Sequence, residues 1–341
     1  MLRPWIDMDK LDWQQLSGNP NAISLLYTHP ERMKWKYNTN VIPLPYTHSA
    51  NINWRFLSAN PNAIPLLEKN MEKIDWENIS ANPNAIPLLE KNMEKIDWDN
   101  ISANPNAIPL LEKNMERIDW KWLSSNPNAI HLIEKNMNKI HWNWLSLNPS
   151  AISLLEQHPE NIDWYWFSKN PNAIPLLQKN PEKINWSKLS INPNAIPMLQ
   201  KHLLMKQIDK QPDEIDWRWL SINPNAMPIL YNKQKQVHRK ISWEFLSTNP
   251  NAIPLLEQNP GKITWYHLSA NPNAIPLLQK YPEKICWDNI SKNPNIFMSL
   301  EEMKQSREPI QEEIIAAALH PKRIARMLEL KGKDQKWEDI I

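Results

Sequence analysis

The sequence predicts an all-α solenoid, a stack of about thirteen 22-residue repeats that each fold as two short helices. Three observations predict this fold. A tryptophan recurs every 22 residues with three exceptions, a helix-capping residue precedes most of these tryptophans, and an Asn-Pro step divides nearly every copy. The marker tryptophans are Trp13, Trp35, Trp54, Trp76, Trp98, Trp120, Trp142, Trp164, Trp186, Trp217, Trp243, Trp265 and Trp287. Because each copy buries its apolar face only against neighbours, function is expected on a surface.

The first helix of each copy is predicted to begin at the marker tryptophan. In ten of the thirteen copies the preceding residue, such as Asp119, is a good N-cap whose side-chain oxygen accepts a bond from a first-turn N–H. An apolar residue follows three positions after the tryptophan, as Leu123 follows Trp120, and lies on the same side of the helix. The helix should end at Asn126-Pro127, because proline disfavours α conformation in the residue before it.

The second helix is predicted to begin at the asparagine after that proline, which is Asn128 in the same copy and is replaced by serine only at Ser150. In the clearest copies, such as residues 85–91, it reads Ala-Ile-Pro-Leu-Leu-Glu-Lys, with proline where a missing N–H costs no intrahelical bond. The competing prediction is a leucine-rich-repeat-like α/β horseshoe, whose period includes 22 residues. The alternating Leu-x-Leu of its strand is missing, since Arg55 stands two residues before Leu57.

The repeats also predict the domain organisation. Residues 1–10 are expected to form an N-terminal cap, residues 11–300 the solenoid with insertions near 200–210 and 232–240, and residues 301–341 a helical C-terminal cap. A cap is expected because an open solenoid exposes the apolar face of its last repeat. Thirteen layers of helices, each about 10 Å across, predict a body on the order of 130 Å long. The second copy, only 19 residues from Trp35 to Trp54, is interpreted as a kink or a decayed repeat.

Composition excludes several classes of function. The chain has 39 Lys+Arg and 37 Asp+Glu, so no global field attracts nucleic acid. A single cysteine, Cys286, excludes an intrachain disulfide framework, and three glycines leave no phosphate-binding loop. No apolar stretch approaches the length of a membrane span. No catalytic motif, cofactor site or metal site is predicted, and the default expectation is a soluble, cytoplasmic protein that is not an enzyme.

Departures from the repeat are the candidate binding residues. The first group is an extra aromatic residue two positions after the marker, at Trp122, Trp144, Trp166 and Trp219, with Phe56 and Phe245 in the same slot. Three consecutive copies then carry tryptophans about 10 Å apart, which suits an extended peptide or stacked bases. The alternative is that these rings pack laterally on one another and on lysine stems.

The second group is basic and lies in the two insertions. Its members are Lys201, His202, Lys206 and Lys210 in the first insertion, and Lys233, Lys235, His238, Arg239 and Lys240 in the second. Insertions at one slot of successive repeats project from one edge, which is often the binding face. This edge could meet an acidic protein segment or a phosphate backbone, or could be a solvated loop without a partner.

The segment Leu57 to Asn70, Leu-Ser-Ala-Asn-Pro-Asn-Ala-Ile-Pro-Leu-Leu-Glu-Lys-Asn, resembles tandem repeats in uncharacterised proteins of giant nucleocytoplasmic DNA viruses. The resemblance covers Leu11 to Met298, and the tail from Ala316 to Ile324 resembles the ending of such proteins. It implies a viral protein made in host cytoplasm, and it supplies no catalytic residues and no activity.

The leading functional hypothesis is a non-enzymatic scaffold that binds a host or viral protein. One alternative is a structural or assembly component of the virion. A weaker alternative is single-stranded nucleic-acid binding, which the near-neutral charge disfavours.

Overall fold

The computed structural model describes residues 1–33, 51–208, 214–232, 240–306 and 323, and the side chains of 207, 208 and 232 are outside the description. The chain divides into two compact units. One consists of Met1–Ile6 with Asn295–Ile341, and the other is Asp7–Pro294, which holds the repeats. The described residues contain helices and no strand, with one isolated antiparallel bridge between Leu2 and Phe297. The all-α prediction is confirmed, and the horseshoe alternative is wrong.

Eleven of the twelve described repeats contain two α-helices, and in the Trp287 repeat only the first is α-helical. Most repeats also have a 3-10 turn before the first helix. The first helices are Trp13–Ser17, Trp54–Ala59, Trp76–Ser80, Trp98–Ala103, Trp120–Ser125, Trp142–Leu147, Trp164–Phe167, Trp186–Leu189, Trp217–Ile222, Trp243–Thr248, Trp265–Ser269 and Trp287–Ile290. The second helices are Ile23–Thr28, Ile64–Leu67, Ile86–Glu90, Ile108–Glu112, Ile130–Glu134, Ile152–Gln157, Ile174–Lys179, Ile196–Ile208, Met227–Asn232, Ile253–Glu257 and Ile275–Lys280. The 3-10 turns, which the sequence did not predict, include Met8–Lys10, Met93–Lys95 and Pro181–Lys183.

The predicted caps of the first helices are present in most repeats. The Asp119 carboxylate accepts a bond from the backbone N–H of Trp122 at 2.8 Å. The same arrangement occurs at Asp12, Asn53, Asp75, Asp97, Asp163, Asn185 and Asp216. Ser242 and Thr264 were also predicted to cap, but their side chains make no such bond. His141 and Cys286 likewise make none.

The predicted start of the second helix is wrong. The N-cap is the alanine after the expected asparagine, as at Ala129, and no side chain caps it. The Asn128 side chain instead donates from Nδ2 to the carbonyl of Pro105, in the preceding repeat, at 2.9 Å. This position therefore joins repeats rather than starting a helix.

The core of each repeat is a small apolar cluster shared with its neighbours. In the Trp120 repeat Leu123, Ala129 and Ile133 are completely buried. Helices of four to six residues are not stable alone, so this burial must hold them, at about 1.5–3 kcal/mol per large side chain. Close backbone contacts between consecutive repeats concentrate on the first helices, which lie side by side.

A buried asparagine and a buried serine form the joint between neighbouring repeats. Asn126, 1% exposed, donates from Nδ2 to the carbonyls of Ser102 and Asn104 in the preceding repeat, each at 3.0 Å. Ser102 donates from Oγ to the carbonyl of Trp98 and accepts the backbone N–H of Asp119, which begins the next repeat, at 3.0 Å. The main-chain groups named here thus have hydrogen-bond partners across or within the joint, as buried polar groups require.

Most of the described marker tryptophans lie under a basic or aromatic side chain. The guanidinium of Arg117 lies 5.1 Å from the Trp98 ring centroid, and the ammonium of Lys95 lies 4.9 Å from that of Trp76. In other repeats an aromatic ring at the end of the second helix has this role, as His158 does for Trp142 at 5.4 Å. The tryptophan is therefore a packing residue at the repeat edge, held by cation–π and ring contacts.

The array of repeats in the unit Asp7–Pro294 is closed. Asn19 of the first repeat donates from Nδ2 to the carbonyls of Ser291 and Asn293 in the last repeat, each at 3.0 Å. The N–H of Asp12 donates to Ser291 Oγ at 2.9 Å, and the Lys10 ammonium lies 5.3 Å from the Trp287 centroid. The same hydrogen bonds recur at the internal joints, and Lys10 lies over Trp287 as Lys95 lies over Trp76. The expectation of an open body about 130 Å long is therefore wrong, because the last repeat already has a neighbour.

The repeat of Trp54 packs directly on that of Trp13. Asn60 donates to the carbonyls of Ser17 and Asn19, each at 3.0 Å. Twelve repeats therefore account for all the joints found among the described residues. The predicted second copy at Trp35, and its kink, lie outside the described residues.

In the terminal unit, residues 1–6 contact the segment that follows the repeats. The N–H of Arg3 donates to the carbonyl of Ile296 at 2.9 Å, and its guanidinium forms a 2.6 Å ion pair with Glu302. The backbone N–H of Ser299 and the Arg3 guanidinium together lower the pKa of Glu302 to about 2, so this carboxylate is ionised at neutral pH. Residues 300–306 are helical, and the rest of the predicted C-terminal cap, apart from residue 323, lies outside the described residues.

Candidate functional site

The predicted aromatic ladder begins with a packed pair. The rings of Trp122 and Trp144 have centroids 5.0 Å apart at an interplanar angle of 51°. The Lys121 ammonium lies 5.4 Å from the first centroid and 5.3 Å from the second. The lateral packing that was the alternative to a binding ladder is therefore present. Both tryptophans nevertheless remain half-buried, so part of each ring is accessible.

The ladder continues through a lysine. Tyr165 and Trp166 meet edge to face at 5.0 Å. Lys188 occupies the ladder slot in the next repeat, and its ammonium lies 4.7 Å from the Tyr165 centroid and 5.9 Å from those of both Trp166 and Trp219. The ring of Trp219 then lies 6.3 Å from that of Phe245. The structure thus brings all four predicted ladder tryptophans onto one row of first helices.

Local hydrogen bonds hold the backbone of the ladder residues. The backbone N–H of Trp166 donates to the Asp163 carboxylate at 3.3 Å, so the cap also positions the residue that carries the ring. At Trp144, where His141 does not cap, the N–H donates to Asn143 Oδ1 at 3.0 Å. The ladder therefore rests on the helix N-termini rather than on loops.

Charge distinguishes one part of this row. The first helices from the Trp120 repeat to the Trp217 repeat contain no Asp or Glu, although an aspartate cap immediately precedes three of them. We call these five helices, with Lys169 beside the third, the aromatic-basic sector. Its cations are Lys121, Lys169, Lys188 and Arg218. Outside the sector the residue after the marker is often acidic, as at Glu77, Asp99, Glu244 and Asp288.

Arg218 is already paired within the sector. Its guanidinium lies 3.0 Å from the Asp216 carboxylate, the cap of the same helix. Burial alone would raise the pKa of Asp216, but bonds from the Arg218 side chain and from the N–H groups of Arg218 and Trp219 lower it overall. In contrast, Lys121, Lys169 and Lys188 form no ion pair with a carboxylate in the part of the chain that the structure describes. These three lysines are the cations available to a partner.

Sequence reasoning did not select Lys121, Lys169, Lys188 or Tyr165. It concentrated on the tryptophans and the insertions, where the repeat is most visibly altered. A usable signal was present in the sequence, because five successive first helices lack acidic residues while their neighbours carry them.

Most of the described basic residues in the two insertions contact other side chains of the protein, so they support a binding site less well than the ladder does. The first insertion extends the second helix to Ile208, and Lys201 is exposed on it beside an open cleft of about 440 Å³. Lys206 forms an ion pair with Glu214 at 3.5 Å. Lys240 lies 5.5 Å from the Trp217 centroid, in the usual place of the basic residue that covers a marker tryptophan. His202 is buried and stacks on Trp186 at 3.7 Å. Lys210, Lys233, Lys235, His238 and Arg239 lie outside the described residues.

No protein-family model matches the chain, and neither a curated protein nor a solved structure matches it. Among the described residues no helix is long and apolar enough to cross a membrane, and no group of three or more His, Cys, Asp or Glu is placed to hold a metal ion. The geometry of the surface is therefore the basis for a functional proposal.

Proposed function

We propose that this protein is a non-enzymatic scaffold that binds another protein through the aromatic-basic sector. The observation that carries the proposal is the row of partly accessible rings and lysines from Trp122 to Trp219, which rests on first helices joined side by side. Aromatic side chains that keep part of their surface accessible and are already ordered by neighbours bind partners at low entropic cost.

The fold supports this use of the surface. Each first helix is fixed by a buried joint to both neighbours, so the spacing between successive rings is set before a partner arrives. The resemblance to giant-virus repeat proteins extends the proposal to a host or viral partner and to host cytoplasm or the virion as the location. A closed array of repeats does not support the virion alternative where that role would depend on the length of the protein.

The test is affinity capture from host or infected lysate with wild type and with a variant in which Trp122, Trp144 and Trp166 are changed to alanine. The matched control changes Gln15, Asn78 and Asn100, which occupy the same slot in other repeats, to alanine. We expect the tryptophan variant to lose specific partners and the control to keep them, with helical circular dichroism unchanged in both. Unchanged partners in a folded tryptophan variant would exclude the ladder.

A further inference from the structure

We propose that the partner segment bound by the aromatic-basic sector is an extended acidic peptide that crosses the first helices of the repeats from Trp120 to Trp217. This inference rests on the proposed function and names the class of its partner. It starts from charge, because Lys121 and Lys169 are exposed, Lys188 is half-buried, and none pairs with a carboxylate among the described residues. An acidic ligand would supply the missing charges.

The acidic residues that flank the sector limit the binding site. Glu77 and Asp99 are exposed in the two repeats before the sector, and Glu244 is exposed in the repeat after it. A peptide carboxylate is therefore attracted by Lys121, Lys169 and Lys188 and repelled by the acidic side chains on either side of them. The surface thus selects both the charge of the ligand and its approximate length.

The spacing of the repeats suits an extended chain. Packed helices lie about 8–10 Å apart, so the five helices span roughly 40 Å from first to last. A polyproline II segment advances about 3.1 Å per residue and repeats its side-chain direction every third residue, or about every 9 Å. A peptide of about 13 residues with an acid at every third position therefore matches the row of repeats.

The same geometry disfavours a single strand of nucleic acid. Base stacking needs an open aromatic face, and such platforms supply most of the sequence-independent affinity for single strands. Here Trp122 and Trp144 are tilted by 51° with centroids 5.0 Å apart, and the Lys121 ammonium lies over both rings. What the pair presents to a partner is partly covered indole surface, which suits the apolar side chains between the acids of a peptide.

The probe is a fluorescein-labelled peptide of five Glu-Leu-Pro triplets, titrated with full-length protein and followed by fluorescence anisotropy. Peptides of five Gln-Leu-Pro or five Lys-Leu-Pro triplets and a 15-nucleotide oligothymidylate are the comparison ligands. We expect the acidic peptide to bind at least tenfold more tightly than each of the others, and its affinity to fall as salt is raised. Equal affinity for the acidic and neutral peptides, or tighter binding of the oligonucleotide, would overturn the proposal.

A pair of charge-matched variants locates the binding. The first changes Lys121, Lys169 and Lys188 to glutamine, and the second changes the exposed Lys91, Lys113 and Lys135, on the second-helix side of three repeats, to glutamine. We expect the first to weaken binding of the acidic peptide at least tenfold and the second to weaken it less than twofold. Equal losses would show non-specific attraction and overturn the proposed site.

Failure of this inference can be told apart from failure of the proposed function. If the neutral peptide binds as tightly as the acidic one and the change of the three ladder tryptophans to alanine abolishes both, the acidic class is wrong and the aromatic surface still binds protein. If lysate partners are also unchanged in that tryptophan variant, the proposed function itself is wrong.

Discussion

At the scale of single residues, two asparagines of the Asn-Pro-Asn loop have different roles that their sequence does not distinguish. Asn126 is buried and bonds two main-chain carbonyls of the preceding repeat, whereas Asn128 is exposed and bonds one. A buried carbonyl that loses its partner costs about 1–3 kcal/mol, while an exposed one can bond to water. The first asparagine should therefore contribute far more to stability than the second.

We expect Asn126→Ala to lower the free energy of unfolding by roughly 2–4 kcal/mol and Asn128→Ala to lower it by about 1 kcal/mol or less. Urea unfolding followed by circular dichroism measures both variants under the same conditions. Losses of equal size would show that the buried bonds of Asn126 do not hold the joint.

At the scale of the helix, one repeat lacks a contribution that its neighbours have. His141 precedes its first helix without a side-chain cap, although the Asp119 and Asp163 carboxylates cap the helices on either side. The N–H of His141 still bonds Ser124 at 2.9 Å, so the joint does not depend on the imidazole. An aspartate at this position would find the same geometry as in the adjacent repeats.

His141→Asp is expected to raise the free energy of unfolding by about 0.5–2 kcal/mol, and Asp119→Ala to lower it by a similar amount, since each change adds or removes one cap. Thermal unfolding of the two variants and wild type provides the measurement. A loss of stability in the aspartate variant would contradict the capping account.

At the scale of the whole repeat unit, closure brings the first and last repeats of the array into contact. An open solenoid needs capping repeats because its first and last faces are apolar. In the unit Asp7–Pro294 those two faces meet, and the Asn19 bonds to Ser291 and Asn293 repeat the bonding of Asn126 to Ser102 and Asn104. Each of the twelve repeats among the described residues then has two neighbours.

Features of this fold that depend on a few adjacent residues were predictable, whereas features that depend on the sum of many repeats were not. Asp119 before Trp120 predicted a capped helix because capping depends on only a few adjacent residues. The role of Asn128 was mistaken because its partner, the Pro105 carbonyl, belongs to another repeat. Closure could not be predicted because curvature is the sum of small rotations between repeats, and no single residue specifies it.

The candidate site likewise contains residues that the sequence predicted and residues that only the structure identifies. The tryptophans at 122, 144, 166 and 219 were predicted from their departure from the repeat, and the structure places them in one row. The sequence does not single out Lys188, because only the packed structure shows that its ammonium lies near both Trp166 and Trp219. The sequence favours the basic insertions as a binding site more than the structure does, since Lys206 pairs with Glu214 and Lys240 lies near Trp217.

The most direct test of the closed array is the distance between the first and last repeats. In a Cys286→Ser background, spin labels at Gln14 and Asp288 would occupy the position after the marker tryptophan in those repeats. Labels at Lys121 and Asn143, which are equivalent positions in adjacent repeats, form the matched control. Closure predicts similar short distances for both pairs, because each pair spans one joint of about 10 Å. Strong dipolar coupling in the control pair with none between Gln14 and Asp288 would contradict it, since an open array separates those residues by roughly 100 Å.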